Sequence, residues 1–210
     1  MVNNQTEKTK PAIVFDLGNV LIGWDPRQLF EKVFDHDQEQ INYFFDNVCT
    51  TEWNEQQDAG RPIAEAIQER VALFPDYEPS IRAYYDRWIE TITGPIEGTV
   101  EILDELKGEG YYLCALSNWS AETIPLVIDK YSFFGQFEEM VISGRVKTKK
   151  PDLKIYKILL ERIGRPADQC LFIDDSQKNI DAADQLGFDT IHFESPTQLR
   201  SELNKRGLIQ

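Results

Sequence analysis

The chain is poor in cysteine and histidine and has no long apolar run, and each shortage closes off a class of protein. Three cysteines in 210 residues, Cys49, Cys114 and Cys170, are too few and too scattered for a disulfide framework or a zinc site. Cys114 and Cys170 fall inside apolar runs, where a small thiol packs as an ordinary buried residue. No stretch approaches the roughly 18–20 apolar residues that a membrane helix needs. The opening MVNNQTEKTK is polar where a secretory signal would be apolar, so a cytoplasmic location is expected. Positive charge is short as well: 22 Lys and Arg against 36 Asp and Glu give a net charge of −14. That balance argues against nucleic acid or an anionic membrane as partner. It still allows a local basic pocket for a small anion.

With 41% hydrophobic and 28% charged residues, the chain can bury a core, and its length suits one full domain with a smaller second one. Short apolar runs rich in β-branched and aromatic residues occur at Ala12–Phe15, Tyr111–Leu116, Glu139–Ile142, Cys170–Ile173 and Thr190–Phe193. Helical patterns lie between the later ones. Tyr156, Leu159, Leu160 and Ile163 follow helical spacing, with Gly164 at the expected stop. The helix after Ile173 stops similarly at Gly187, and a last helix opens on Ser195 and Pro196. Alternation of this kind predicts an α/β fold, a doubly wound, Rossmann-like parallel sheet with helices on both faces.

The connection after the first strand is too long for this plan. Between Asp16 and Tyr111 lie 94 residues, whereas a parallel crossover needs about a dozen. Gly98–Glu109 already supplies a crossover helix, so residues 22–94 read as an insertion, helical throughout. Within it Ile63, Ala66, Ile67, Val71 and Phe74 share one helix face, and Ile81, Tyr84, Tyr85, Trp88 and Ile92 another. The expected organisation is an α/β core of residues 11–21 and 95–210 with a helical cap at 22–94. Gly23 and Gly94-Pro95 are its candidate hinges.

Open α/β sheets bind ligands at the carboxyl ends of their strands, and polar residues stand at those ends here. Asp16 closes the first strand in FDLGNV, Ser117-Asn118 the second in ALSNWS, and Asp174-Asp175 the fourth in FIDDSQKN, while Lys150-Pro151 precedes the helix after the third. Singly, each has an ordinary structural explanation: a turn, a helix cap, a solvated lysine. Adjacent carboxylates repel unless a cation is near, and four such groups in this order point to one site.

FDLGNV, LSNWS, KKPDLKIY and FIDDSQKNIDAA, in that order, resemble the four motifs of the haloacid dehalogenase-like (HAD) hydrolase superfamily. The insertion after the first motif resembles its C1 cap. The FDLGNVL form, followed by WDPR, is most similar to a branch that includes bacterial sugar-phosphate phosphatases. The resemblance implies Asp16 as nucleophile, Ser117 as a hydrogen-bond donor to the transferring group, and Lys150 as a bridge between that group and Asp16. It also implies Mg²⁺ held by Asp175, the Asp16 carboxylate and the Gly18 carbonyl, with Asp174 as a second ligand or the holder of a metal-bound water. A small phosphorylated substrate follows, with sugar phosphates the leading class. The chemistry is consistent: an anionic nucleophile meets an anionic phosphoryl group, and a divalent cation with a lysine offsets the repulsion.

Most phosphatases of that superfamily carry a second aspartate two residues after the nucleophile, as general acid and base. Here that position is Gly18. Asp25 is the nearest acidic substitute along the chain, although its place before Pro26 also suits an N-cap. The run Arg145, Lys147, Lys149, Lys150 and Lys154 is basic for so acidic a chain, and reads as solvated surface or as a lure for a phosphorylated substrate. Asn118, Trp24, Arg61 and Trp119 are the candidate substrate contacts, with Trp53 behind them. His36 and His192 are set aside. Two other readings remain open: a 2-haloacid dehalogenase working without metal, in which the paired Asp174-Asp175 would have nothing to neutralise them, and a phosphate-binding module without turnover.

Overall fold

The computed structural model describes residues 10–210, so the N-terminal stretch weighed above for a signal lies outside the described residues except for Lys10. Five parallel strands form the main sheet in the order β5-β4-β1-β6-β7. They are β1 (Ala12–Phe15), β4 (Tyr112–Ser117), β5 (Glu139–Ile142), β6 (Cys170–Asp174) and β7 (Asp189–His192). All five expected runs are strands, displaced by one residue or fewer at their ends. β4 and β6 run one residue further than the apolar pattern, because Ser117 still pairs with Ile142 and Asp174 with His192. The two polar residues are therefore held by the ladder itself.

Both sheet faces are covered, which is why the strands read as apolar runs without alternation. Ile13, Phe15, Leu113, Ala115 and Ile173 face one layer, with α6 (Glu97–Gly108) and α11 (Pro196–Lys205) packed there. Ala12, Val14, Cys114, Leu116 and Phe172 face the other, under α9 (Leu153–Ile163) and α10 (Gln177–Leu186). Gly164 and Gly187 close their helices in the left-handed region, and the Ser195 hydroxyl caps α11 by accepting from Gln198 N. Two short helices, α7 (Ile124–Ile128) and α8 (Ser143–Val146), follow β4 and β5. All three cysteines are free and buried, Cys114 and Cys170 as their apolar runs suggest. Among the described residues no helix is long and apolar enough to cross a membrane.

The insertion carries α1 (Pro26–Val33), α2 (Gln38–Tyr43) running into a π-helical turn, α3 (Thr51–Asp58), α4 (Ile63–Leu73) and α5 (Glu78–Asp86). They bury a cluster of their own around Leu29, Phe30, Phe44, Trp53 and Tyr84. The segment is not helical throughout. β2 (Ile22–Trp24) and β3 (Ile92–Pro95) form an antiparallel ribbon at its base, with Gly23 opposite Gly94. These strands of three and four residues hold two glycines and no alternation, and Gly94 sits at φ 118°, a conformation that favours glycine. The expected hinge glycines thus sit paired in a ribbon.

Candidate active site

The strand order reverses around β1, with β4 on one side and β6 on the other. This is the switch point where open α/β sheets form a crevice at their carboxyl ends. Asp16 leaves β1 there with its main-chain N–H still on Ile173 O at 2.8 Å. The chain then turns tightly, Leu21 and Ile22 both donating to Leu17 O, and Asn19 takes a left-handed conformation that asparagine tolerates.

Asp16 Oδ1 accepts from Ser117 Oγ at 2.6 Å and from Leu17 N at 2.7 Å, and lies 3.0 Å from Lys150 Nζ. Among the described residues nothing donates to Oδ2, so one oxygen is fixed and the other is available to react. Lys150 is fully buried and reaches Asp174 Oδ2 at 2.6 Å. Its place is set by Asn118, whose side-chain amide accepts from Lys150 N at 2.8 Å and donates to Lys150 O at 3.0 Å. The carboxylate of Asp174 also accepts from Ser176 N and Asn179 Nδ2. Ser117 does not cap the next helix, because its hydroxyl is spent on Asp16.

Burial pushes the Asp16 carboxyl up to about 6, against the pull of Lys150, with Asp174 adding to the rise. Asp175 is raised as well, by partial burial and then by Asp174. Lys150 is held above the usual lysine value because Asp16 and Asp174 outweigh its burial. Oxygens of Asp16, Asp174 and Asp175 lie within 4.8 Å of one another. Three carboxylates against one ammonium leave two negative charges without a partner, and the Gly18 carbonyl accepts no hydrogen bond among the described residues. A hard-oxygen set with a double charge deficit fits a divalent cation such as Mg²⁺. His192, set aside in the sequence, closes this cluster from behind, its Nε2 lying 3.0 Å from the main-chain carbonyl of Asp175.

An open cavity lies beside the cluster, with Gly18 and Asn118 in its wall. Trp24, Tyr85, Trp88 and Trp119 line its apolar side, and Asn54, Asp58, Ser120 and Thr123 supply the polar atoms. Trp24, Asn118 and Trp119, three of the four candidate substrate contacts, stand in this wall. Arg61 is not in the wall: it is tied to Gln56 and Glu69 within the insertion. Trp53 is buried against Tyr84 and Tyr85, and Asp25 caps α1 by accepting from Arg27 N. Of the basic run, Lys150 is buried and Lys149 pairs with Glu55 of α3, so it is not uniformly a solvated surface. Asn54, Asp58 and Tyr85 had no signal as cavity residues, since they come from helices of the insertion remote from the motifs, and Thr123 stands in the turn that follows LSNWS.

Residues 13–193 match the profile described as haloacid dehalogenase-like hydrolase. A sesquiterpene phosphatase of Aspergillus oryzae is 24% identical over 185 residues, spanning 88% of this chain and 90% of its own length. An (S)-2-haloacid dehalogenase of Pseudomonas putida is 28% identical over 94 residues, 45% of this chain and 41% of its own. A HAD family enzyme of Bacteroides thetaiotaomicron, crystallised with magnesium and inorganic phosphate, superposes with a TM-score of 0.68 at 22% identity. That alignment covers 89% of this chain and 95% of the other, a likeness that shows the fold alone.

Proposed function

The chain belongs to the haloacid dehalogenase-like hydrolases, and from that premise we propose that it is a Mg²⁺-dependent phosphomonoesterase of small phosphorylated metabolites, sugar phosphates foremost. The observation that carries this reading is the buried array in which Ser117 and Lys150 hold one oxygen of Asp16 and leave the other free, next to a carboxylate cluster two charges in deficit.

Asp16 Oδ2 attacks phosphorus, the ester P–O bond breaks, and an aspartyl-phosphate forms that water then hydrolyses. Lys150 and the Ser117 hydroxyl orient Asp16 and face the phosphoryl oxygens. Asp16, Asp175 and the Gly18 carbonyl would hold the metal, and Asp174, whose oxygens already accept from three groups, would support that set. Bound there, Mg²⁺ would supply positive charge to offset that of the phosphoryl group. The segment 22–94 acts as a cap over the cavity. Its aromatic wall suits the C–H faces of a sugar or another neutral body. Among the described residues no lysine or arginine lines the cavity, so a second anionic group on the substrate would go unpaired.

The test is phosphate release from a panel of phosphomonoesters with Mg²⁺ and with EDTA, while chloride release from 2-chloropropionate is followed in parallel. Phosphate release that EDTA abolishes is expected. Chloride release without metal would replace this reading with the dehalogenase, and phosphate binding without turnover would replace it with a binding module.

A further inference from the structure

A nucleophile without its usual companion leaves the departing alkoxide in need of a proton, and Gly18 cannot give one. A Cβ built on Gly18 would meet nothing within 4 Å, so the space where a donor at that position would stand is open. We propose that Asp58, on the insertion, supplies that proton from across the cavity and later acts as the base. This inference rests on the phosphatase reading.

The geometry follows from in-line attack. With Asp16 on the sheet side of phosphorus, the leaving oxygen lies on the opposite side, where the cavity is walled by the insertion. Among the described residues Asp58 is the one carboxyl in that wall, and Tyr85 the other titratable group. Tyr85 donates its proton to Asn54 Oδ1 at 3.1 Å, and burial raises its phenol far above the range of a useful acid. Asn54 passes the contact on, its Nδ2 donating to Asp58 Oδ2 at 3.2 Å. This Tyr85–Asn54–Asp58 chain fixes the carboxyl in orientation while leaving it at the cavity.

Asp58 is also anchored to the sheet edge. Its main-chain carbonyl accepts from Ser143 Oγ, and that hydroxyl accepts from Trp119 N at 2.9 Å, directly after Ser117-Asn118. Gly60, at φ 98°, lets the chain turn within a Cβ's reach of Gly144 O, so α3 docks against α8 without a side chain between. The groups facing Asp58 are Lys149, which favours its charge, and Glu55, Tyr84 and Tyr85, which do not. Burial outweighs Lys149 and the Ser120 N–H and lifts the carboxyl to about 7. Its position as the last residue of α3, at the negative end of the helix dipole, works the same way. A carboxyl titrating near neutrality can both give and take a proton.

The steps balance. As the Asp16–phosphorus bond forms and the ester bond breaks, the Asp58 carboxyl proton passes to the leaving alkoxide. The Asp58 carboxylate then takes a proton from the water that attacks phosphorus. The Asp16–phosphorus bond breaks, and inorganic phosphate, the free Asp16 carboxylate and protonated Asp58 result.

The experiment compares n-butyl phosphate, whose alkoxide needs a proton, with p-nitrophenyl phosphate, whose phenolate leaves without one, in wild type and Asp58→Asn with Mg²⁺. Asp58→Asn should lose about 10²- to 10⁴-fold in kcat/KM on the butyl ester and far less on the nitrophenyl ester. In wild type, kcat/KM for the butyl ester should fall above about pH 7, and the variant should lack that fall. The wild-type profile reads the same group even where the variant folds poorly. Equal losses on both esters, no loss on either, or a fall that persists in the variant would overturn the role of Asp58. A wild type releasing phosphate from neither ester, at any pH, would overturn the phosphatase reading and this proposal with it.

Discussion

The two walls of the cavity are made differently. On the sheet side, Asp16, Asp174 and Lys150 are buried, with Lys150 Nζ 3.0 Å from Asp16 and 2.6 Å from Asp174, and the exposed Asp175 brings an oxygen within 4.8 Å of the other two carboxylates. On the insertion side, the wall is aromatic, with one carboxyl and no cation among the described residues. The hydrophobic interiors differ in the same sense. The sheet packs mainly aliphatic side chains, whereas the insertion stacks rings, with Phe30 and Phe44 at 4.4 Å and Trp53 edge-on to Tyr84 at 5.5 Å. A parallel ladder fixes a strand end to fractions of an ångström, which charged chemistry needs. Rings on helices supply area and shape, which selection of a neutral body needs. The arrangement separates reaction from choice of substrate, and each half can be attacked without the other.

The sharpest break falls on the sheet side. Asp16→Asn should lower phosphate release by more than about 10⁴-fold, while circular dichroism and the urea midpoint stay near wild type. Lys150 keeps its contact with Asp174 in that variant, so no buried charge is stranded. A rate near wild type would remove the nucleophile from its role.

Lys150→Met tests the same wall through stability. It removes the one cation between two buried carboxylates, and breaking such a pair from one side costs about 3–5 kcal/mol. Urea denaturation above neutral pH should show a loss of that order, partly recovered in acid as Asp16 takes up a proton. A loss confined to activity would mean that the array is solvated in a way that its burial denies.

A smaller effect separates the insertion wall from the sheet wall. The Asp58 carboxyl rises from an ordinary 3.8 to about 7 on folding. Between those values the folded chain holds a proton that the unfolded chain has released, so stability falls as pH rises through this window and levels off above it. Asp58→Asn has no such slope. Relative to wild type it should gain about 1–2 kcal/mol between pH 5 and pH 8, the partial exposure of the residue keeping the figure low. Equal gains at both pH values would mean that Asp58 is ionised throughout.

The difference between the walls also decides how much was legible in the sequence. Asp16, Ser117 and Asp174-Asp175 were readable because a buried strand announces itself as an apolar run and its end lies one residue further on. Lys150 was readable by its order along the chain, but its burial was not: alone in a basic stretch it looks solvated, and only the Asn118 clamp draws it inward. Gly18 was legible as a gap. Nothing local said what faces that gap, since Asp58 arrives through a helix end docked by Ser143 and Gly60. His192 was passed over because its partner is a main-chain carbonyl, which leaves no mark in a sequence.

Arg61 gives the smallest expected effect and the finest test of where the insertion wall ends. It stands three residues from Asp58, yet Gly60 turns the chain between them, and the guanidinium runs back along the insertion to Gln56 and Glu69. Glu69 is half exposed, and surface pairs of this kind contribute about 0–1 kcal/mol. Arg61→Ala should therefore shift the urea midpoint only slightly and leave KM for the best phosphomonoester within about twofold, less than 0.5 kcal/mol by the usual conversion. A tenfold rise in KM with kcat unchanged would show the guanidinium binding substrate. The cavity would then have a cationic edge, and substrates with a second anionic group would return to consideration.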